Sequence, residues 1–300
     1  MSEQDSGELD GAFEGEVSVG YVLVPVVVRG KGGFSERLGE RDFKLSVDGQ
    51  TLPIGSFESG AQAPIGLLIL QDLSGSMGIG PKLAHSRSLI ECLMGHSRMG
   101  DEFAVASFSN AGLFIDVPFP GSLQAIRDST SAWDAYGRTA LHDAVGWLPD
   151  IVAARSSPRR AVVLITDGVD NASKLGATES RDQMRQAQVP VHVVGLDAGS
   201  FERLDREGKK LYRLADMLNL IGWATGGGYH PISDPGDLVP ACNSIVEDLR
   251  HQYVLGFSTR ADGGTGRHEI TVDVPGKSRK LEIKHRQSYE GTDPSRLGSQ

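Results

Sequence analysis

The sequence places three oxygen-bearing side chains within five residues, directly after an apolar run. The stretch from Leu67 to Gly80 reads LLILQDLSGSMGIG, so Asp72, Ser74 and Ser76 follow the run at every second position. The glycines beside the serines leave the backbone free to turn. Carboxylates and hydroxyls are hard oxygen donors, which are the ligands that Mg²⁺ takes in proteins.

Two further oxygen donors stand later in the chain. Thr139 lies in the stretch YGRTALHDA at the start of a helical pattern, and Asp167 lies in LITDGVDN at the end of another fully apolar run. Taken singly, each feature has a simpler interpretation. Asp-x-Ser-x-Ser is typical of capping loops, Thr139 of a helix N-cap, and Asp167-Gly168 of a turn. The combination, with each member after a buried strand or at a helix start, predicts one metal site.

Strands and helices alternate from residue 64 to about residue 250, and these elements would position the five donors. Apolar runs such as PIGLLILQD and RRAVVLITDG are typical of strands covered on both faces, and segments with a helical period separate them. The alternation predicts a doubly wound, mainly parallel α/β sheet. Ligands collect at the carboxyl ends of the strands in such a sheet. The donors therefore converge if the first and fourth strands are neighbours.

Strand patterns without a helical period flank this α/β segment on both sides. VLVPVVVRG and RDFKLSV precede it, whereas YVLGFST, RHEITVDV and RKLEIKHR follow it. Each flank alone has too few strands for independent stability. We therefore expect residues 17–60 and 252–290 to pair into one small β-sandwich, with residues 64–251 inserted as the α/β domain. Residues 1–16 and 291–300 are expected to be flexible ends.

Composition and charge argue against several classes of partner and location. The net charge of −9 disfavours nucleic acid, because phosphate binding needs a basic surface. No apolar run reaches the ~18 residues that a membrane span needs, and the acidic N-terminus is unlike a signal peptide. The chain as given predicts a cytoplasmic protein by default, or an exported one if it is a trimmed mature form. The oligomeric state stays open.

The two cysteines, Cys92 and Cys242, both lie in helical patterns. Spacing alone cannot show that they are close in space, so two buried thiols are favoured over a disulfide. Cysteines and histidines do not occur at the spacings of a zinc site.

Residues 64 to about 250 resemble a von Willebrand factor A domain. Five residues match the pattern of its metal-ion-dependent adhesion site without substitution: Asp72, Ser74, Ser76, Thr139 and Asp167. The resemblance implies that the three hydroxyls contact the metal, and that the two aspartates act directly or through water. It also implies that ligand capture can couple to a shift of the last helix, DLVPACNSIVEDLRHQ.

The flanks are similar to the strands that surround this domain in bacterial "VWFA-related" proteins. The quoted strand patterns, together with the "DF" and "DG" of RDFKLSVDGQ, carry this likeness. The resemblance then covers about residues 17–290. Those relatives are commonly exported, so the resemblance and the polar N-terminus point to different compartments.

The donor set predicts a metal-dependent interaction or adhesion module rather than an enzyme. Neutral hydroxyls leave the charge of a bound cation partly uncompensated, so the metal can accept an Asp or Glu carboxylate from a protein partner. Three hydroxyls and few carboxylates favour magnesium, with manganese and calcium as the alternatives.

Catalysis is disfavoured because the residue pattern lacks an acid–base partner for the metal. No second acid follows Asp72 at a position suited to proton transfer, and neither a phosphate-binding loop nor a nucleophile elbow occurs. Two alternatives stay open. In one, the metal is structural and the β-sandwich recognises the partner; in the other, less favoured, the protein is a metal-dependent hydrolase.

Overall fold

The structure is a computed structural model that describes residues 19–35, 37–59, 63–153, 159–168, 170–198, 202–204, 210–260, 266–277 and 280–291. The predicted flexible ends, 1–16 and nearly all of 291–300, lie outside the described residues. The strands are β1 (Val19–Gly30), β2 (Gly33–Phe34), β3 (Lys44–Val47), β4 (Gln50–Leu52), β5 (Ser56–Glu58), β6 (Gly66–Asp72), β7 (Glu102–Ser109), β8 (Gly112–Val117), β9 (Arg160–Thr166), β10 (Val191–Leu196), β11 (Glu202–Leu204), β12 (Lys210–Arg213), β13 (Tyr229–Ile232), β14 (Tyr253–Arg260), β15 (Gly266–Asp273), β16 (Glu282–His285) and β17 (Ser288–Gly291). The helices are α1 (Lys82–Gly95), α2 (Leu123–Ser131), α3 (Leu141–Gly146), α4 (Leu148–Ala153), α5 (Ala177–Gln186), α6 (Leu214–Thr225) and α7 (Leu238–Arg250).

A six-stranded sheet forms the centre of the α/β part, with the order β13-β10-β9-β6-β7-β8. Neighbouring strands are parallel except at the edge, where β8 runs antiparallel to β7. Strands β6, β9 and β10 are buried along nearly their whole length, which accounts for their uninterrupted apolar sequences. The prediction of a doubly wound, mainly parallel sheet is confirmed.

Strands β6 and β9 lie side by side in parallel, with Leu68 opposite Val162. The chain leaves β6 towards β7 and β8 and returns on the other side of β6 as β9, so the strand order reverses between β6 and β9. The carboxyl ends of strands at such a reversal form the crevice in which open α/β sheets bind ligands. Strands β6 and β9, which are the first and fourth strands of the domain, are therefore neighbours. This is the condition under which the predicted donors converge.

Helices cover both faces of this sheet because alternate residues of each strand point to opposite sides. Leu67 and Ile69 of β6 belong to a core that includes residues of α1 and α7. Leu68 and Leu70 belong to a second core on the opposite face, with residues of α3, α5 and α6. Burying one such leucine is worth about 1.5–3 kcal/mol. Among the described residues, no helix combines the length and hydropathy that crossing a bilayer requires.

The flanking strands form two antiparallel sheets that share one core. One has the order β16-β1-β14-β5, with β2 beside β1, and the other has the order β17-β15-β3-β4. Each sheet mixes the two flanks, since β1 pairs with β14 and β16 while β3 pairs with β15. Val24, Leu45 and Val272 lie in the shared core. The architecture of an α/β domain inserted between sandwich strands is confirmed, and the domain boundaries given above stay predictions.

Helix α7 connects the α/β domain to this sandwich and is held by buried ion pairs. Asp248 contacts Arg29 of β1, and Lys284 of β16 donates to Asp248 at 2.8 Å. Two positions further along the helix, Arg250 pairs with Asp101, and both side chains are buried. Breaking such a pair by removing one partner leaves an uncompensated buried charge, so α7 is fixed from both sides.

A disulfide between Cys92 and Cys242 also fixes α7, so the prediction of two buried thiols was wrong. The two Cα atoms lie 6.3 Å apart although 150 positions separate them in sequence. Helices α1 and α7 share one core on the same face of the sheet, and this packing brings the cysteines together. Their sequence spacing carries no information about helix packing, which is why the pattern pointed to free thiols.

Two buried histidines in the α/β domain make stability depend on pH. His192 and His230 are both buried, and His192 Nδ1 lies 3.3 Å from His230 Nε2. Burial lowers the pKa of His192 to about 3 and that of His230 to about 4, from 6.5. Between about pH 4 and 6.5 the unfolded chain therefore binds more protons than the folded one. The free energy of unfolding accordingly falls as the pH drops through this window.

We expect His192→Gln to reduce that loss by about 2 kcal/mol between pH 7 and pH 5, because one proton-binding site of the unfolded chain is removed. Urea unfolding of wild type and variant at both pH values measures the difference. His85→Gln makes the same substitution at a partly exposed position of α1 and controls for the effect of the substitution itself. The same pH dependence of the free energy of unfolding in His192→Gln and wild type would contradict the lowered pKa of His192.

Candidate metal centre

Asp72 is the last residue of β6 and is held by two hydrogen bonds. Its Oδ1 accepts from the backbone N–H of Ser74 at 2.8 Å, which closes the turn after the strand. Its Oδ2 accepts from the Thr166 hydroxyl at 2.7 Å, across the gap to β9. The carboxylate is thus fixed by its own turn and by the neighbouring strand.

A series of contacts runs from this carboxylate, through the Ser74 N–H and the two serine hydroxyls, to the residue that follows β9. Ser74 Oγ lies 3.3 Å from Ser76 Oγ, and the Ser76 hydroxyl donates to Asp167 Oδ1 at 2.9 Å. Asp167 directly follows β9. Four of the five predicted donors are therefore linked by contacts across the crevice between β6 and β9.

The fifth donor, Thr139, lies on a loop bound to the serine loop. Backbone hydrogen bonds join Tyr136 N to Leu73 O at 2.9 Å and Gly75 N to Gly137 O at 3.0 Å. Gly137 has φ +80°, and a Cβ there would lie 2.2 Å from Asn110 Oδ1, so this position needs glycine. Thr139 is buried and precedes α3, which begins at Leu141 rather than at the threonine itself.

Residues after Asp167 hold this threonine loop in place. Asn171 Oδ1 accepts from Thr139 N at 3.0 Å, and Thr139 O accepts from Asn171 N at the same distance. Asp170 accepts from the backbone N–H of His142 at 2.9 Å. Aspartate and asparagine are also ordinary turn residues, so the types of Asp170 and Asn171 alone do not indicate this role. The signal that could have identified them is their position, three and four residues after Asp167 at the end of a buried strand.

Lys82 contacts the site and was not predicted from the sequence. Its Nζ donates to Asp167 Oδ2 at 2.6 Å and to the backbone O of Ser76 at 3.2 Å. Both side chains of the Lys82–Asp167 pair are largely buried, with 14% and 10% exposed. The predicted ligand pattern consists of oxygen donors, and a lysine is not one of them. Because 85 positions separate Lys82 from Asp167, the sequence does not show that the two are in contact.

The donor chemistry and the burial of Asp72 fit a hard divalent cation. Burial raises the pKa of Asp72 to about 6, and the nearby charge of Asp167 acts in the same direction, while hydrogen bonds from Ser74 and Thr166 oppose the rise. A carboxylate held in such surroundings lacks a full counter-charge. A cation beside it would supply that charge, and the surrounding serine, threonine and aspartate side chains offer only oxygen donors.

Comparison with known proteins identifies the fold around this crevice. The family model of the von Willebrand factor type A domain matches residues 67–169, a range that contains all five predicted donors. No curated protein sequence matches the chain significantly.

Several solved structures are similar to this chain. "von Willebrand factor type A from Catenulispora acidiphila" has 13% identity and a TM-score of 0.52, covering 93% of this chain and 76% of that chain. Proximal thread matrix protein 1 of the mussel byssus, described "with zinc occupied MIDAS motif", has 16% identity and a TM-score of 0.51, covering 67% of this chain and 49% of that one. BatB from Bacteroides thetaiotaomicron has 20% identity and a TM-score of 0.47, and the match covers 61% of this chain and 98% of that chain. The first two likenesses show that the chain shares its fold with these proteins, and the family match places the sequence pattern of the von Willebrand factor type A domain at residues 67–169.

Proposed function

We propose that this protein is a metal-dependent protein-interaction module whose bound divalent cation captures an Asp or Glu carboxylate of a partner. Five residues would hold the ion: Asp72, Ser74, Ser76, Thr139 and Asp167. The main support is the series of contacts that joins four of them across the ends of β6 and β9, from Asp72 through the Ser74 N–H and the two serine hydroxyls to Asp167. These contacts lie inside a domain whose family is typically associated with interaction and adhesion.

Each donor has a role that follows from its charge. The hydroxyls of Ser74, Ser76 and Thr139 would contact the ion as neutral ligands and would not reduce its charge. Asp72 and Asp167 would bind directly or through water, with Thr166 and the Ser74 N–H orienting Asp72 from behind. The ion supplies a positive charge at the rim of the crevice. We propose magnesium, with manganese and calcium as alternatives; the zinc named for the mussel protein is a further one.

Apolar side chains near the rim favour a protein surface as the ligand. Ile79 and Tyr136 are 67% and 55% exposed, and they stand on the two loops that the Tyr136 N–Leu73 O hydrogen bond joins. Exposed apolar groups beside a polar centre are typical of protein interaction sites. The net charge of −9 repels acidic partners at long range, so carboxylate capture would depend on the local cation.

Metal dependence of peptide binding tests this function. The probe is a fluorescent peptide with one glutamate between two leucines, and the matched control replaces that glutamate by glutamine. In fluorescence anisotropy, we expect the glutamate peptide to bind in magnesium and to dissociate on addition of chelator, because the ion is the counter-charge. The glutamine peptide should not bind.

Other outcomes separate the alternatives. Binding of the glutamate peptide that survives chelator, together with a lower melting temperature, would favour a structural metal with recognition by the β-sandwich. Equal binding of both peptides would show that no carboxylate is captured.

A further inference from the structure

Lys82 occupies a position that a cation ordinarily avoids. It is the first residue of α1, where the partial positive charge of the helix N-terminus disfavours a second positive charge. Its ammonium group is nevertheless drawn inward, with 14% of the side chain exposed. The contact with Asp167 explains this placement, since a carboxylate at 2.6 Å offsets the unfavourable helix end.

The two oxygens of Asp167 serve different neighbours. Oδ1 accepts from the Ser76 hydroxyl at 2.9 Å and therefore lies on the side of the predicted donors. Oδ2 accepts from Lys82 Nζ at 2.6 Å. Because Lys82 also donates to the Ser76 backbone O at 3.2 Å, it spans both sides of the crevice. This arrangement holds one carboxylate oxygen away from the donors and leaves the other among them.

Lys82 also changes the charge that a partner would meet. Two ionised aspartates contribute a formal charge of −2, a divalent ion contributes +2 and Lys82 contributes +1, so the site with its metal bound carries a net charge of +1. Without the lysine the net charge of that site is zero. We infer that Lys82 sets the strength of carboxylate capture, by offsetting Asp167 so that the bound ion keeps net positive charge for the partner. This inference rests on the proposed function of the same site.

The inference predicts two effects of opposite sign, which a merely structural lysine would not produce. Lys82 competes with the metal for Asp167 and repels it, so removing the charge should tighten magnesium binding. The same removal should weaken capture of a carboxylate, because the loaded site becomes neutral. A residue that only ties α1 to the crevice would weaken both when replaced.

Lys82→Met tests this, since methionine keeps most of the length and removes the charge. Magnesium affinity is measured by calorimetry, and affinity for the glutamate peptide by anisotropy in saturating magnesium. We expect about tenfold tighter magnesium binding and about tenfold weaker peptide binding, because removing one unit charge beside the ion changes both electrostatic interactions. Lys82→Arg should stay near wild type. Lys44→Met, with the same charge change at an exposed site on β3, controls for net charge and should alter neither affinity.

Each outcome decides between the interpretations. Parallel loss of both affinities in Lys82→Met and in a second variant, Lys82→Gln, with unchanged melting temperatures, would overturn the inference in favour of a structural role. Unchanged affinities would overturn it as well. Failure of the wild-type protein to bind magnesium or the peptide would contradict the proposed function itself, before any Lys82 variant is compared.

Discussion

Asp72→Asn is expected to abolish measurable magnesium binding while leaving the protein folded. Replacing a residue that only orients a metal ligand typically costs about 10- to 100-fold in affinity, and we expect a greater loss for a carboxylate that is itself a donor. Folding should survive because asparagine keeps the shape of the side chain and removes a charge that burial disfavours. Calorimetric titration with magnesium measures the affinity, and circular dichroism checks the fold.

The matched control is Asp134→Asn, which makes the same charge change at an exposed position of the loop that leads to Thr139. It should bind magnesium like wild type, because general surface charge is not what holds the ion. If Asp72→Asn bound magnesium with the wild-type affinity, the proposal that Asp72 is a ligand of the metal would be contradicted. Loss of magnesium binding in both variants would instead show that the overall negative charge of the surface, and not Asp72 itself, accounts for the binding.

Removing the Cys92–Cys242 cross-link is expected to lower the free energy of unfolding by up to about 5 kcal/mol. The bond closes a loop across a sequence separation of 150, and cross-links that close long loops restrict the unfolded chain most. The double variant Cys92→Ser/Cys242→Ser removes the bond. Urea unfolding of variant and wild type, each with and without a thiol reductant, measures the loss.

Reductant should destabilise the wild type and leave the double variant unchanged, so the variant is its own control. Helix α7 should stay docked, because Ile245 remains in the core shared with α1 and Arg250 remains paired with Asp101. Two free thiols in the purified, unreduced protein, together with no effect of reductant, would contradict the cross-link and restore the prediction made from sequence.

The central sheet was predictable because strands that are buried on both faces have uninterrupted apolar sequences. β6 and β9 read as unbroken apolar runs, and the alternation with helices indicates parallel strands. The same runs end at Asp72 and Asp167, so the crevice could be located from strand ends alone. The candidate donors were thus selected through the elements that carry them, and contacts link four of them across the two strand ends. That they hold a metal stays a prediction.

Other features depend on contacts between distant helices and loops, which sequence spacing does not encode. The cysteines meet only because α1 and α7 pack together, and Lys82 reaches Asp167 only because α1 starts at the crevice. Asp170 and Asn171 resemble ordinary turn residues until their partners on the threonine loop are known. Each of these side chains contacts a residue far away in sequence, so the contact itself could not be derived from the local sequence.

The most direct test of carboxylate capture by a bound metal is a calorimetric magnesium titration of the wild-type protein, with and without a saturating concentration of the glutamate peptide. Capture couples the two ligands, so the peptide should tighten magnesium binding by the same factor by which magnesium tightens peptide binding. Magnesium affinity that does not respond to the peptide, or no magnesium binding at all, would contradict the proposal.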